Sequence, residues 1–321
     1  QGRIAGKLHY IIATAVTVPA VFNESQDALE KALSTILVRG PQVASEIAMT
    51  EAQATQTFLD ELTEEQLRAL NGHQTIRRAF RPGKDGQPDE EVAYSIFTIE
   101  TRPMGSIHNN RAEDDYSPAE QEEGLLVKVH SRIVADKSRN IYLDMLGLYW
   151  MAFDLSHESW TARVTRRQGA ATRIEKEFGF RPRTTLGQPR SRVVVIKQDD
   201  EINMRESYEW EAPEPWMPRP MTWILGYLLP RDGQIAMSYA CIDHRQKVPT
   251  LGTRRDEWSS NPHDKTQWRL QTWLDDSGLP TNGIYDLGGL VNQRNADGML
   301  IETTSPEQLQ LIWNGAGLKT R

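Results

Sequence analysis

The chain has a single cysteine, Cys241, among its 321 residues. An internal disulfide framework is therefore excluded, because a disulfide needs two cysteines. Cys241 lies in a segment where apolar residues alternate, so we expect it to be a small buried hydrophobic side chain rather than a reactive thiol. Low cysteine use fits a reducing cytoplasm, and it also fits the many bacterial envelope proteins that have no disulfides.

Long apolar runs and an excess of positive charge are also missing. No apolar run approaches the ~18–20 residues that a membrane-spanning helix needs. The nearest run, residues 10–22, is shorter and rich in β-branched residues, which favours a strand. The net charge of −7 argues against a nucleic acid partner, because binding to phosphates needs clustered Lys and Arg. One basic cluster is interpreted as the solvated face of two strands: Arg163, Arg166, Arg167 and Arg173.

Motifs for catalysis and metal binding are absent from the sequence. None of the seven histidines pairs with another at metal-ligand spacing, and no serine lies in a Gly-x-Ser-x-Gly elbow. The acidic residues 113–115 lack the alternating oxygen ligands and the glycine of a calcium-binding loop. The pairs Asp243-His244 and His263-Asp264 are interpreted as surface turns. We therefore expect no metal, no cofactor and no enzymatic activity, and we keep an unrecognised hydrolase as an alternative.

The most informative stretch of the chain is residues 190–276. It contains several strand-sized segments in which apolar and polar residues alternate. Alternating strands with many large aromatic residues indicate a curved antiparallel sheet that covers one broad apolar face. The tryptophans of this stretch are Trp210, Trp216, Trp223, Trp258, Trp268 and Trp273.

Residues 23–71 have a helical pattern instead. In the first predicted helix, Leu29, Leu33 and Ile36 fall at the spacing of one helix face. The third predicted helix opens with the capping box that begins at Thr63. The three predicted helices cover residues 23–40, 44–59 and 63–70.

Beyond the polar residues 81–90, which are rich in Gly and Pro, the hydrophobic period changes to two. In residues 125–133 we expect Leu125, Val127 and Val129 on the buried face, and we expect the residues between them to face outward. The outward residues are Lys128, His130 and Arg132. The other predicted strands cover residues 92–101, 142–146, 149–155, 160–166, 172–178, 192–197, 202–208, 234–242, 247–258 and 266–274, and residues 109–123 are predicted to be an unstructured acidic loop.

The chain is predicted to end in a short helix that carries Leu309 and Trp313, because Ser305 is a capping residue and a proline follows it. Short strands without intervening helices indicate an antiparallel meander. The predicted fold class is α+β, mainly β: a strongly bent antiparallel meander sheet (a half-barrel) with an N-terminal helical region and a short C-terminal helix. We expect an N-terminal strand plus helical region at residues 1–85 and the half-barrel domain at residues 86–321.

A proline-rich bend, residues 213–220, interrupts the strands. Proline cannot donate the hydrogen bonds of a sheet, so the chain must leave the sheet there. The apolar residues 221–229 that follow need cover, and the nearest cover is the inside of the sheet. They either plug the concave side or line a site for an apolar ligand. The candidate ligand-binding residues, expected at or over the concave face, are Trp216, Trp223, Ile224, Leu228, Met237 and Tyr239.

Three segments resemble parts of secreted bacterial domains of unknown function. Residues 92–97, followed by Met-Gly-Ser-Ile-His at 104–108, resemble the opening strand of those domains, and residues 302–309 resemble their final strand and helix. Residues 268–280 resemble their Thr-Trp-Leu-Asp-x-x-Gly-Leu-Pro strand and turn. Such domains are similar to the lipoprotein-carrier (LolA/LolB-like) half-barrel, a strongly bent antiparallel sheet that helices close on its concave side and that holds an acyl chain.

The resemblance, which covers residues 91–313, implies a non-enzymatic bacterial protein of the periplasm or cell envelope that binds a lipid or other apolar ligand. The chain begins at Gln1 without an initiator methionine, which fits the removal of a targeting segment and fits a truncated chain equally well. A structural or scaffold subunit of the cell envelope is the alternative. Its sheet would be filled by its own side chains, and it would bind an envelope protein or a second copy of itself.

Overall fold

The computed structural model describes residues 2–4, 7–9, 41–84, 86–108, 110–169, 171–183, 191–244, 248–274 and 279–320. These residues belong to two compact units, Gln1–Glu51 and Ala52–Arg321. In the first unit, strand β1 (Gly2–Ile4) pairs antiparallel with strand β2 (Lys7–His9). The predicted strand at residues 10–22 lies outside the described residues, and so does the predicted first helix with Leu29, Leu33 and Ile36.

The second unit contains a sheet of fourteen described strands in which every pair of neighbours is antiparallel. The strand order is β10-β9-β8-β7-β6-β5-β4-β3-β16-β15-β14-β13-β12-β11, so two meanders meet where β3 pairs with β16. The sheet is open, and the prediction of a mainly β, antiparallel meander is confirmed. The strands are β3 (Gln74–Arg81), β4 (Glu90–Pro103), β5 (Glu123–Asp136), β6 (Ile141–Ala152), β7 (Glu158–Gln168), β8 (Ala171–Arg181), β9 (Arg192–Asp199), β10 (Met204–Glu211), β11 (Ile235–Asp243), β12 (Thr250–Ser260), β13 (Trp268–Leu274), β14 (Thr281–Asp286), β15 (Gly289–Arg294) and β16 (Leu300–Thr304).

Four described helices accompany the strands. Helix α1 (Pro41–Glu61) and helix α2 (Glu64–Arg68) occupy the predicted N-terminal helical region, and α2 opens with the predicted capping box at Thr63. Helix α3 (Arg219–Leu228) follows the proline-rich bend, where the sequence analysis assigned only an apolar segment. Helix α4 (Pro306–Gly315) is the predicted terminal helix, and the side chain of Ser305 accepts a hydrogen bond from the backbone of Gln308.

Strand β5 shows how alternation places the core. Leu125, Val127 and Val129 are 0%, 0% and 2% exposed on the concave face, whereas Lys128 on the other face is exposed. The predicted burial of this strand is confirmed. The other two residues predicted to face outward are half-buried: His130 and Arg132.

The C-terminal segment contributes to the partial burial of Arg132, because it covers part of the convex face. Trp313 of α4 is fully buried and packs edge-on against Tyr94 of β4, with ring centroids 4.8 Å apart. Arg132 donates a hydrogen bond of 3.1 Å to the carbonyl of Lys319. The sheet therefore has a second, smaller apolar cluster on its outer side, in addition to the main core on its concave side.

Several predicted boundaries need correction. The two strands predicted at residues 142–155 form one strand, β6, in which most residues are buried, so alternation does not mark its full length. Strands β3, β14 and β15 were not predicted. Residues 109–123 are not unstructured throughout, because a 3-10 turn forms at Glu113–Asp115 and Tyr116 after it is buried. Strand β3 lies before the predicted domain boundary between residues 85 and 86, and it pairs with β4 and β16. The division into two domains at that boundary stays a prediction.

The chain leaves the sheet at the proline-rich bend and returns at β11, as predicted. The bend also touches the sheet edge, since Met217 donates a backbone hydrogen bond of 3.1 Å to Ala240 of β11, and Ala240 donates one of 3.0 Å to Pro215. Helix α3 then packs on the concave side, with Ile224 and other apolar residues in the main core. No described helix has both the length and the apolar character needed to cross a membrane.

Candidate functional site

The start of α3 is held by Glu158 of β7, a buried carboxylate. One oxygen of Glu158 accepts a hydrogen bond of 2.7 Å from the indole of Trp216, and the other accepts one of 2.6 Å from the backbone of Arg219. Arg181 of β8 donates to the same carboxylate at 3.2 Å and supplies the opposite charge. The carboxylate therefore joins the proline-rich bend and the first residue of α3 to the wall of the sheet.

A second buried carboxylate, Glu177 of β8, lies beside the first. It accepts hydrogen bonds from Trp160 at 2.9 Å and from Arg219 at 2.8 Å, and His244 lies 3.3 Å away. Burial on its own would raise the pKa of Glu177, but the hydrogen bond with His244 and the positive charge of Arg219 lower the pKa to about 2. His244, interpreted from the sequence as part of a surface turn, thus contacts a buried acid.

A cavity of about 350 Å³ lies between α3 and the concave face of the sheet. Strands from both meanders form its walls, because it spans the junction where β3 pairs with β16. Its apolar lining residues are Ala79, Phe97, Val129, Trp223, Gly226, Leu270, Gly283 and Ile301, and its polar lining residues are Arg77, Ser95, Ser131, Thr222, Arg254, Thr272, Thr281, Tyr285 and Gln293.

Arg77 of β3 is the first of two cations in the cavity wall. Its guanidinium lies over the ring of Phe97, 4.6 Å from the ring centroid, and Nη2 donates a hydrogen bond of 2.9 Å to the hydroxyl of Tyr227. Nε is buried and has no hydrogen-bond partner among the described residues. No carboxylate among the described residues pairs with this arginine, so its charge is stabilised only by a ring face and a hydroxyl.

Arg254 of β12 is the second cation, and it is paired. Its Nε donates to both oxygens of Asp256, at 3.0 and 3.2 Å. Among the described residues, its terminal nitrogens make only long hydrogen bonds of 3.4 Å, to Thr222 and Thr272. Asp256 is fully buried and also accepts from Tyr239 and Thr272. Burial would lower the pKa of Arg254, but the charge of Asp256 outweighs it, so the pKa is raised. The positive charge of Arg254 is thus offset within the wall.

The candidate ligand-binding residues lie together around the main core, but only one of them lines the cavity. Trp223 is a lining residue and is half-buried. The other five pack behind the lining, and their part in ligand binding stays a prediction. Buried in the core are Trp216, Ile224, Met237 and Tyr239, with the half-buried Leu228 packed against it.

Sequence reasoning missed the polar residues of the site. Arg77 lies on a strand that was not predicted, and Arg254 was within a predicted strand but carried no role. The sequence of β12 did contain a usable signal. Arg254 and Asp256 lie two residues apart and therefore on the same face of the strand, and the next residue on that face is the apolar Trp258.

The remaining charged and sulfur-containing features have ordinary structural roles. In the predicted basic cluster Arg163 and Arg166 are exposed, Arg167 pairs with Asp144 at 2.9 Å, and Arg173 pairs with Asp199. Cys241 is buried in the main core, as predicted. Within the part of the chain that the structure describes, no group of three or more His, Cys, Asp or Glu residues is placed to hold a metal ion.

Comparison with known proteins places the chain in no characterised family. No family model and no curated protein matches it. One solved structure that is similar is a crystal structure of a beta-barrel-like protein of domain of unknown function DUF1849 from Brucella abortus. The two share 11% sequence identity, and the match covers 73% of this chain and 95% of that chain with a TM-score of 0.44.

Proposed function

We propose that this chain is a non-enzymatic binding protein that holds a ligand with a large apolar part between α3 and the concave face of its sheet. The observation that carries the proposal is the cavity itself. Its volume of about 350 Å³ lies at the lower end of the roughly 300–1,000 Å³ found for small-molecule sites. The lining combines apolar residues with a similar number of polar residues, so it suits a ligand that has polar groups as well as an apolar part.

The polar groups of the lining support binding rather than catalysis. Ser95 and Ser131 are hydrogen-bonded to each other at 2.8 Å. No described lining residue is a histidine or a carboxylate. Asp256, which accepts a hydrogen bond from the lining residue Thr272, is fully buried and paired with Arg254. An extracytoplasmic location, in the periplasm or cell envelope, is part of the proposal and is supported by the resemblance to secreted domains.

The alternative is a scaffold subunit whose sheet is filled by its own side chains. Helix α3 supports this alternative in part, since Met221, Ile224 and Leu225 fill much of the concave side. The cavity beside α3 favours the binding protein. The two functions differ in a measurable way, because a binding protein loses affinity when the cavity is filled and a scaffold subunit does not bind a small apolar molecule there.

The test is a titration with N-phenyl-1-naphthylamine, an uncharged probe whose fluorescence rises in apolar surroundings. Ala79→Leu fills the cavity from strand β3 without removing a polar group, and Ala171→Leu adds the same volume at an exposed position on β8. We expect saturable binding by the wild type and by Ala171→Leu, and at least a roughly tenfold loss for Ala79→Leu, since an inserted side chain excludes the ligand from a close-packed site.

Trp223→Ala, which removes a lining residue, is expected to change the affinity as well. No saturable binding by the wild type, or equal binding by wild type and Ala79→Leu, would show that the proposed function is wrong.

A further inference from the structure

We infer that the ligand of this cavity carries an anionic group and that Arg77 binds that group. The inference rests on the proposed function and adds the chemical class of the ligand: an amphipathic anion, with a carboxylate or phosphate at one end and an apolar part that lies against the apolar lining.

Arg77 has an incomplete set of hydrogen-bond partners. A guanidinium has five N–H donors, and Arg77 uses one of its nitrogens in a hydrogen bond, to the neutral hydroxyl of Tyr227. Its Nε is buried and finds no acceptor within the part of the chain that the structure describes. A buried donor that has no acceptor costs free energy, and the cost is larger for a charged group. An anionic group of the ligand beside the guanidinium would lower the cost of burying its charge.

The charge balance of the cavity also favours an anionic ligand group. Both charged lining residues are cations, Arg77 and Arg254, and the described lining contains no carboxylate. Asp256 offsets the charge of Arg254 from behind the wall, while no described acid offsets that of Arg77. His73 lies near Arg77, and its pKa is lowered by burial and by the charge of Arg77, so it stays neutral at neutral pH. The cavity wall therefore has a net positive charge, located at Arg77.

The side chain of Arg77 is held in one orientation by its neighbours. The face of its guanidinium is covered by the Phe97 ring, and Nη2 is held by Tyr227, whose ring stacks on that of Phe97 with the planes 8° apart. A guanidinium held in this way is oriented before any ligand arrives, which reduces the entropy lost on binding. Carboxylate and phosphate groups match its planar donors better than a single-atom acceptor does.

The apolar part of the ligand follows from the surroundings of Arg77. Phe97, Val129 and Ile301 line the cavity on the strands near β3, and Trp223 faces them from α3. A small hydrophilic anion would leave these surfaces without contacts, whereas an amphipathic anion covers them. A lipid-derived carboxylate and a free small anion share the same head chemistry, and the experiment separates them.

The test is isothermal titration of the intact protein with four compounds: decanoate, 1-decanol, acetate and inorganic phosphate. For the wild type we expect decanoate to bind roughly tenfold or more tightly than 1-decanol, because a charge-assisted hydrogen bond is lost in the alcohol. Acetate and phosphate are expected to bind far more weakly than decanoate, since they have no apolar part.

Three variants assign the effect to one residue. Arg77→Gln should bind decanoate and 1-decanol with equal affinity, and Arg77→Lys, which keeps the charge, should restore part of the preference for decanoate. Arg294→Gln on β15 removes an exposed arginine and should behave as the wild type. If Arg77→Gln does not fold, the affinities of the wild type and of Arg77→Lys for decanoate and 1-decanol test the role of Arg77.

The outcomes are separable. Equal binding of decanoate and 1-decanol by the wild type, or an undiminished preference in Arg77→Gln, overturns the anion inference and leaves the binding function standing. Tight binding of acetate or phosphate alone overturns the amphipathic class. Binding of none of the four compounds overturns both proposals.

Discussion

Glu177 determines much of the local structure at the scale of single residues. It is 7% exposed, and three donors from β7, α3 and the end of β11 surround it. A buried carboxylate is tolerated only when it is paired and hydrogen-bonded, and the partners that satisfy it also fix the start of α3. The position of the helix over the cavity therefore depends on this residue and on Glu158.

Acid should weaken the fold through this carboxylate. The pKa of Glu177 falls from 4.5 to about 2 on folding, so the unfolded chain binds more protons than the folded chain between these values. Its contribution to stability is fully present above pH 4.5 and is lost as the pH falls through about 2. In Glu177→Gln we expect the free energy of unfolding at pH 7 to drop by roughly 3 kcal/mol, and we expect its decline between pH 4.5 and 2 to become shallower.

Urea unfolding at several pH values provides this measurement. The control is Glu175→Gln on the same strand, whose side chain is 56% exposed and whose effect should stay within roughly 0.5 kcal/mol. If the free energy of unfolding declined equally with pH in the wild type and in Glu177→Gln, Glu177 would not be the source of the acid sensitivity.

At the scale of elements, the contact between α3 and β14 depends on Gly226. A Cβ atom at this position would lie 2.3 Å from the ring of Tyr285, so only glycine allows the helix to approach the strand this closely. This approach sets the width of the cavity, because both residues line it.

Replacing this glycine should reverse the usual effect of alanine in a helix. Gly→Ala in an exposed helix interior stabilises by about 1 kcal/mol, but Gly226→Ala should destabilise by roughly 1–3 kcal/mol because the added methyl group overpacks the core. The matched control is Gly315→Ala in α4, where a Cβ meets nothing within 4 Å. Thermal unfolding of both variants measures the difference in their stability. A stabilised Gly226→Ala variant would contradict the close contact between Gly226 and Tyr285.

The sequence predicted elements wherever one face is apolar and the other polar, as in β5. Strand β3 was missed because neither of its faces follows this pattern. Arg77 on the inner face lines a cavity, and Arg78 on the outer face is buried in ion pairs with Glu91 and Glu302. The site was likewise predicted only in part. The apolar segment after the proline-rich bend indicated Trp223, but a charged residue on a concave face gives no apolar signal.

At the scale of the whole molecule, two meanders share one sheet through the pairing of β3 with β16. Strand β3 is therefore central, although it precedes most of the sheet in the chain. Without it, β4 and β16 would each present an unpaired edge, and unpaired edges promote aggregation.

Truncation should show this dependence. The fragment Ala52–Arg321, which corresponds to the second compact unit, should be soluble and unfold cooperatively. A fragment of residues 90–321 lacks α2 and β3 and should aggregate, because it loses the junction of the two meanders as well as the cover that Leu67 provides to the core. Soluble yield and circular dichroism compare the two. A folded, soluble 90–321 fragment would contradict the central role of β3.

The central claim is that the space between α3 and the concave face is a ligand site. A crystal structure of the protein with 10-bromodecanoate tests it most directly, because the anomalous signal of bromine locates the ligand without any assumption about its pose. We expect the bromine among the apolar lining residues near Trp223 and the carboxylate within hydrogen-bond distance of Arg77. A bromine peak found only on the outer surface of the sheet, or a cavity that holds only water at saturating ligand, would contradict the claim.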